Sequence, residues 1–233
     1  MPLLLVAATT TVASTDRFLD FSYKWSAEAA AVAVLDRRLR ADSVHQRSRY
    51  GAMARQGYAD RRKRKLEWPA PYAFDRSWTT AGTGARLLSL SSFTYTFTGG
   101  AHGISSTGSL LWDRRRGREI TLDTLLQRSG WWDGAIRKPF CILLDRERTK
   151  RREMPVKRSD LFGGCPPLKD VNLALGDTNR NRPFDHLLVT ADPYVAGPSA
   201  EGRYDIRLPL TAAMLARLKL EYRGSFEAQP PVQ

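Results

Sequence analysis

From Phe18 to Trp25 the chain alternates apolar and polar residues, setting Phe21, Tyr23 and Trp25 on one side of an extended backbone. That pattern predicts a half-buried strand. Ser26 follows as a helix N-cap, with Glu28 in the first turn, where a carboxylate meets the positive end of the helix dipole. Val32, Leu35 and Leu39 recur at helical spacing and predict a buried stripe. From Arg40 to Lys65 the residues still favour a helix but large apolar side chains are lost, so the stretch reads as a long, weakly packed arm. Trp68-Pro69-Ala70-Pro71-Tyr72 breaks it.

Trp78–Thr83 and Arg86–Thr98 predict two strands, and Gly99-Gly100-Ala101-His102-Gly103 a loop. Thr107–Asp113 and Glu119–Leu122 flank a turn at Arg116-Gly117, the signature of a hairpin. Asp123 opens a short helical turn, and Trp131–Met154 is a second long helix, with Trp112, Trp131 and Trp132 expected in the core. A polar loop around Asn179-Arg180-Asn181 precedes a strand at Phe184–Ala191. The Asp192–Pro198 loop leads to a last strand, Arg203–Leu208, a closing helix, Ala212–Leu220, and a tail after Phe226 expected to be disordered. Strands and helices are grouped rather than alternating, so the expected class is α+β, with an antiparallel sheet packed by two longer helices and two half-domains sharing a core.

Composition sharpens this picture through charge. The 233 residues carry a formal +13. Arg37–Lys65 holds eleven Lys/Arg against two Asp, and Arg146–Arg158 seven against two Glu. A roughly neutral body therefore carries two basic segments, which attract anions or serve only as solvated helix faces. Leu3–Ala8 is a short apolar run, and Thr11-Val12-Ala13 resembles a small-x-small cleavage site. The expectation is a leader over residues 1–13 and a periplasmic or secreted protein; a first strand is the other reading. No later run reaches the roughly 20 apolar residues of a membrane span. In an oxidising compartment Cys141 and Cys165 are expected to form a disulfide, 24 residues apart in sequence, rather than stay as two buried thiols. His45, His102 and His186 show no ligand spacing with them, so neither a metal site nor a cofactor is implied.

Four stretches taken in order resemble a known family: FSYKWSAEAAAVAVLD from Phe21, SLSSFTYTFTGGAHG ending at Gly103, LLWDRRRGREITLDTLL from Leu110, and ADPYVAGPSAEGRYDIRLPL from Ala191. They are similar to the envelope domain shared by lysozyme-sensing anti-sigma factors of Gram-positive bacteria and the N-terminal region of certain peptidoglycan deacetylases. The resemblance implies an extracytoplasmic α+β domain, with a deacetylase-associated half over 14–98 and an anti-sigma-type half over 99–226. In the sensing relatives this region binds lysozyme. Two basic surfaces repel, so for a chain of this charge an anionic component of the cell wall, or an acidic envelope protein, ranks above a basic lysozyme.

The candidate contacts are two loops and one basic run. In the first loop Gly99 and Gly100 permit positive φ, which can leave amides turned toward an anion, and His102 adds a ring donor. In the second, Asp192, Tyr194 and Glu201 could orient a ligand or, beside His102, act as general acid or base. Arg61, Arg62, Lys63, Arg64 and Lys65 form the basic patch, with Tyr58 and Trp68 as aromatic neighbours able to stack on a sugar. No nucleic-acid fold signature accompanies that patch. No nucleophile elbow or metal cluster is present, so binding to peptidoglycan or a similar polymer is the leading expectation. An inhibitor or receptor of lysozyme-like hydrolases comes next, then a hydrolase or deacetylase-type enzyme on wall glycan.

Overall fold

The computed structural model describes residues 9–68, 70–178 and 183–232. The expected polar loop at Asn179-Arg180-Asn181 and the apolar run Leu3–Ala8 lie outside them. The fold is α+β. A six-stranded sheet has the order β1-β2-β3-β4-β5-β6, and a three-stranded sheet the order β7-β8-β9. The strands are β1 Thr10–Thr15, β2 Leu19–Trp25, β3 Tyr72–Thr83, β4 Leu87–Phe97, β5 Ile104–Asp113, β6 Arg118–Ile120, β7 Asn172–Gly176, β8 His186–Ala191 and β9 Tyr204–Pro209. The helices are α1 Ala27–Ala30, α2 Ala33–Lys63, α3 Trp131–Arg152, α4 Ala212–Leu215 and α5 Leu220–Arg223. The first sheet is mixed rather than antiparallel: β2 and β3 are parallel, because α1 and α2 return the chain to the starting end of the sheet.

The chain divides into two compact units. The first runs to Thr79 and includes Ser92–Ser106; the second takes Thr80–Ser91 and Thr107 onward. The division therefore cuts β3, β4 and β5, whereas the expected halves met at residues 98 and 99.

In the first unit, β2 buries Phe21, Tyr23 and Trp25 as its alternation predicts. Ser26 caps α1 by accepting the Ala29 N–H at 3.3 Å. Beyond Leu39, α2 is a packed helix rather than a weakly packed arm, and its buried positions are Ser43, Gly51 and Ala54. Small residues let the backbone sit close to the sheet while leaving no apolar stripe to read. Asp42 fixes the helix to the strands, accepting from Tyr23 Oη at 2.6 Å and pairing with Arg76 at 3.1 Å. Trp78 Nε1 donates to the same tyrosine oxygen at 3.0 Å. Burial, then the bond to Asp42, push the Tyr23 phenol well above its ordinary range.

In the second unit, α3 turns Trp132, Ile136, Phe140 and Leu144 into a core with Leu187, Val189, Tyr204 and Ile206 of the small sheet. Cys141 of α3 is bonded to Cys165, as expected. Arg86, almost fully buried, donates twice to Asp113, at 3.1 and 2.9 Å, and also to Glu221 at 2.9 Å. Tyr222 Oη adds a bond to Asp113 at 3.0 Å. Burial alone would push the Asp113 carboxyl up, but Arg86 and the surrounding donors hold it low. The closing helix is two short turns, α4 and α5, parted where Leu218 bridges to Leu126. The tail is bonded rather than loose: the Glu227 N–H donates to Phe184 O and the Gln229 N–H to Leu210 O.

Thr10–Ala13, expected as the end of a leader, are part of β1, which pairs with β2 from Thr10↔Trp25 to Thr15↔Asp20. A cut after Ala13 falls inside this strand. Deleting residues 1–13 should lower the unfolding free energy by roughly 3 kcal/mol, the worth of a few ladder hydrogen bonds, measured by urea titration. An unchanged midpoint would show that β1 adds nothing to the fold.

Candidate functional site

The last turns of α2 and the chain reversal after it build a cleft in the first unit. Lys65 adopts φ 55°, and the Leu66 N–H folds back to Arg61 O at 2.9 Å. Arg61 braces the reversed segment by donating from Nε to Glu67 O at 2.7 Å. The segment then brings in Trp68, whose indole N–H donates to Arg17 O at 3.2 Å and whose ring stacks on Tyr72 with centroids 5.1 Å apart. Tyr58 meets Trp68 edge-on at 5.7 Å. A Cβ at Gly57 would come within 2.4 Å of the Tyr72 hydroxyl, so only glycine lets this tyrosine lie so close to the helix.

The turn between β4 and β5 completes the cleft. Gly99 and Gly100 have φ of 91° and 103°, backbone that L side chains rarely adopt. With Asp60, Arg61, Arg64, Leu66, Trp68 and Tyr72 they line a space of about 280 Å³. Two features that are separate in sequence, the basic run and the glycine loop, thus share one cleft. His102 does not line it; the ring is exposed, with Nδ1 3.0 Å from the neighbouring Gly103 carbonyl. Arg62, Lys63 and Lys65 are exposed outside the lining. The arrangement offers guanidinium cations for a charge-assisted contact beside a stacked aromatic wall.

The second loop is held within its own unit. Asp192 accepts from the Thr107 N–H and hydroxyl, both at 2.9 Å, and Asn172 donates to that hydroxyl at 2.8 Å. Tyr194 sits at φ 70° with its ring largely exposed, and its N–H closes a turn onto Gly197 O at 2.9 Å. Glu201 receives Arg152 through two bonds, at 2.9 and 3.0 Å, and the Tyr204 hydroxyl as a third donor. Arg151 donates to the Glu201 and Arg203 carbonyls, each at 2.8 Å, and lies over the Tyr204 ring at 4.0 Å.

Arg148, with no exposed surface, donates to Ala196 O at 2.8 Å, Gly164 O at 3.1 Å and Asp145 at 3.0 Å. Three cations of the second basic segment therefore grip the Asp192–Arg203 loop and do not form an outward patch. Sequence reading missed this, although Trp132, Ile136, Phe140, Leu144 and Arg148 recur every four residues and place the arginine on the buried face.

The second unit also has a groove of about 560 Å³, floored by Leu110, Leu111, Ile120 and Val171, with Glu119, Asp123, Asp133 and Lys169 among its polar lining. None of the candidate site residues read from the sequence lies in it. Among the described residues no group of three or more His, Cys, Asp or Glu is placed to hold a metal ion.

Comparison with known proteins bears on both units. Residues 22–105, most of the first unit and all of the cleft, match the family described as Deacetylase PdaC. No curated protein matches the chain. Over nearly its whole length the fold is that of two solved DUF3298 structures. A DUF3298 family member from Bacteroides fragilis superposes with a TM-score of 0.57 at 16% identity, covering 93% of this chain and 95% of that one. A DUF3298 family protein from Pseudomonas aeruginosa does so with 0.56 at 15% identity, covering 95% and 97%.

Arg152, beside Glu201, holds that carboxyl below the usual carboxylate range. A depressed folded value means the pair stabilises the fold above the unfolded value and the contribution is lost as pH falls through the folded one. Glu201→Gln should therefore cost roughly 2 kcal/mol near neutrality. The gap from the parent chain should close in urea titrations below about pH 4. A gap independent of pH would remove the ion pair as its cause.

Proposed function

We propose that this chain, a PdaC-type segment on a DUF3298 fold, is an exported binding module of the cell envelope that holds an anionic saccharide of the wall, peptidoglycan first, in the α2 cleft. The observation that carries this reading is the meeting of Arg61 and Arg64 with the Trp68–Tyr72 stack and the Gly99-Gly100 turn in one space. An aromatic face takes the apolar side of a sugar ring, and the guanidinium groups take its carboxylate. At about 280 Å³ the cleft is small for a ligand pocket, which suits one ring of a polymer rather than a free cofactor. The reading is binding rather than turnover, because the carboxylates with catalytic potential are already committed: Asp192 to Thr107, and Glu201 to Arg152 and Tyr204.

Cosedimentation with isolated peptidoglycan tests it. Arg64→Glu and Trp68→Ala should each weaken retention about tenfold, the effect of losing a contact of one to two kcal/mol. Raised salt should weaken the parent chain's retention only in part, since stacking is not screened. Retention untouched by Trp68→Ala and abolished by salt would overturn a saccharide site.

A second reading rests on the groove of the second unit, whose acidic rim of Glu119, Asp123 and Asp133 around an apolar floor suits a basic protein such as a lysozyme-like hydrolase despite the net charge of the chain. In that case Asp123→Lys with Asp133→Lys should abolish inhibition of such a hydrolase in a turbidity assay. Equal inhibition by parent and variant would exclude the groove.

A further inference from the structure

We infer that the outer edge of β1, with the arginine flank of α2 beside it, is an acceptor for an extended acidic peptide that adds to the sheet as a further strand. β1 ends the six-stranded sheet and pairs only with β2, so its other edge has no strand partner among the described residues. Edge strands in soluble proteins usually carry a lysine, a proline or a bulge that blocks pairing. The β1 sequence, Thr-Thr-Val-Ala-Ser-Thr, has no charge and no proline, and its register with β2 is unbroken over six pairs.

The helix beside this edge supplies the selectivity. At about 100° per residue, Arg37, Val44, Arg55 and Arg62 fall within about 20° of one line along α2. All four are exposed, Val44 by 67% of its surface. A groove runs between this flank and β1, lined by Val12 and Ser14 of the strand and by Ser43, Val44, Arg47, Ser48 and Arg55 of the helix. The Arg55 guanidinium lies back over Gly51, 3.4 Å from where a Cβ would stand. Neither Arg47 nor Arg55 makes an ion pair among the described residues. Asp16, the carboxylate in the same lining, accepts from the Phe18 and Leu19 N–H groups at 2.7 and 2.9 Å, and these bonds, with the nearby charges of Arg55 and Arg47, hold its carboxyl low.

Spacing favours a strand over a flexible polyanion. Arg47 and Arg55 are eight residues apart, about 12 Å along the axis. Side chains at i and i+4 of an extended strand point to one face and are about 13 Å apart. Because α2 is the crossover between parallel β2 and β3, it runs along the strands. The two arginines are about 80° apart around the helix, but both line the groove against β1, so their long side chains can reach two carboxylates on the helix-facing side of an added strand. The main chain supplies affinity through the ladder, and the arginines select the side chains.

The probe is a labelled Glu-Val-Glu-Val-Glu-Val-Glu peptide, compared with its lysine counterpart, a version N-methylated at alternate residues, and inorganic polyphosphate. Affinity is read by fluorescence anisotropy and strand addition by amide exchange at Thr10–Thr15. Only the unmodified acidic peptide should bind tightly and slow exchange in β1. Arg47→Glu with Arg55→Glu, both solvent-facing, should weaken it at least tenfold while the circular dichroism stays that of the parent. Arg64→Glu should leave it unchanged, which separates this site from the saccharide cleft. Equal binding by polyphosphate or by the N-methylated peptide would reduce the surface to an electrostatic track. Protection of β1 in a dimer without peptide would assign the edge to a second copy. No binding of the acidic peptide would end the proposal.

Discussion

A guanidinium cut off from water has to find its hydrogen bonds inside the protein, and Arg148 imposes that demand on the second unit. Its three donors reach a carboxylate one turn back on α3, a carbonyl of the loop after β8, and a carbonyl next to Cys165. Removing any one would leave a buried charge short of a partner, which costs more than a neutral bond is worth. The loop from Asp192 to Arg203 is thereby held at several points, with Arg151 and Arg152 adding theirs on the following turn. The Cys141–Cys165 bond closes the same region covalently. A segment that looks in sequence like an exposed ligand loop is a clamped part of the scaffold.

The first unit meets a similar demand with carboxylates. Asp42 collects Tyr23 and Arg76, and through Tyr23 also Trp78, while Asp36 accepts the Trp25 indole N–H at 2.9 Å, so two acidic side chains tie the long helix to the sheet. That placement carries the far end of α2 to the glycine turn between β4 and β5. The cleft thus depends on contacts roughly five helical turns away, at 5.4 Å per turn.

Where burial follows large apolar side chains, the elements were legible from the residues alone: β2 from Phe21, Tyr23 and Trp25, α3 from its tryptophan-led stripe, the hairpin from Arg116-Gly117. Where packing uses small side chains, periodicity carries no signal, which is why Ser43, Gly51 and Ala54 read as a loose arm. β1 and β7 are short and built from small or unremarkable residues, and they exist because β2 and β8 offer them an edge. The parallel pairing of β2 and β3 follows from a helix returning the chain, a long-range fact outside any local window. For the site, residue types were readable but their grouping was not: Arg61 and Arg64 meet Gly99 and Gly100 only through the fold. The cations at 148, 151 and 152 looked like surface charge because half of their bonds go to backbone carbonyls, and the Glu201 carboxylate that takes Arg152 lies 49 residues away in sequence.

Gly57 has a consequence for the width of the cleft. With the Tyr72 hydroxyl set against the helix where a methyl group would stand, the stacked Tyr72 and Trp68 rings of one wall are backed on the helix side by main chain. A single added methyl would drive the tyrosine, and the tryptophan stacked on it, into the open space. The width of the cleft is thus set in part by a residue whose contribution is the absence of a side chain.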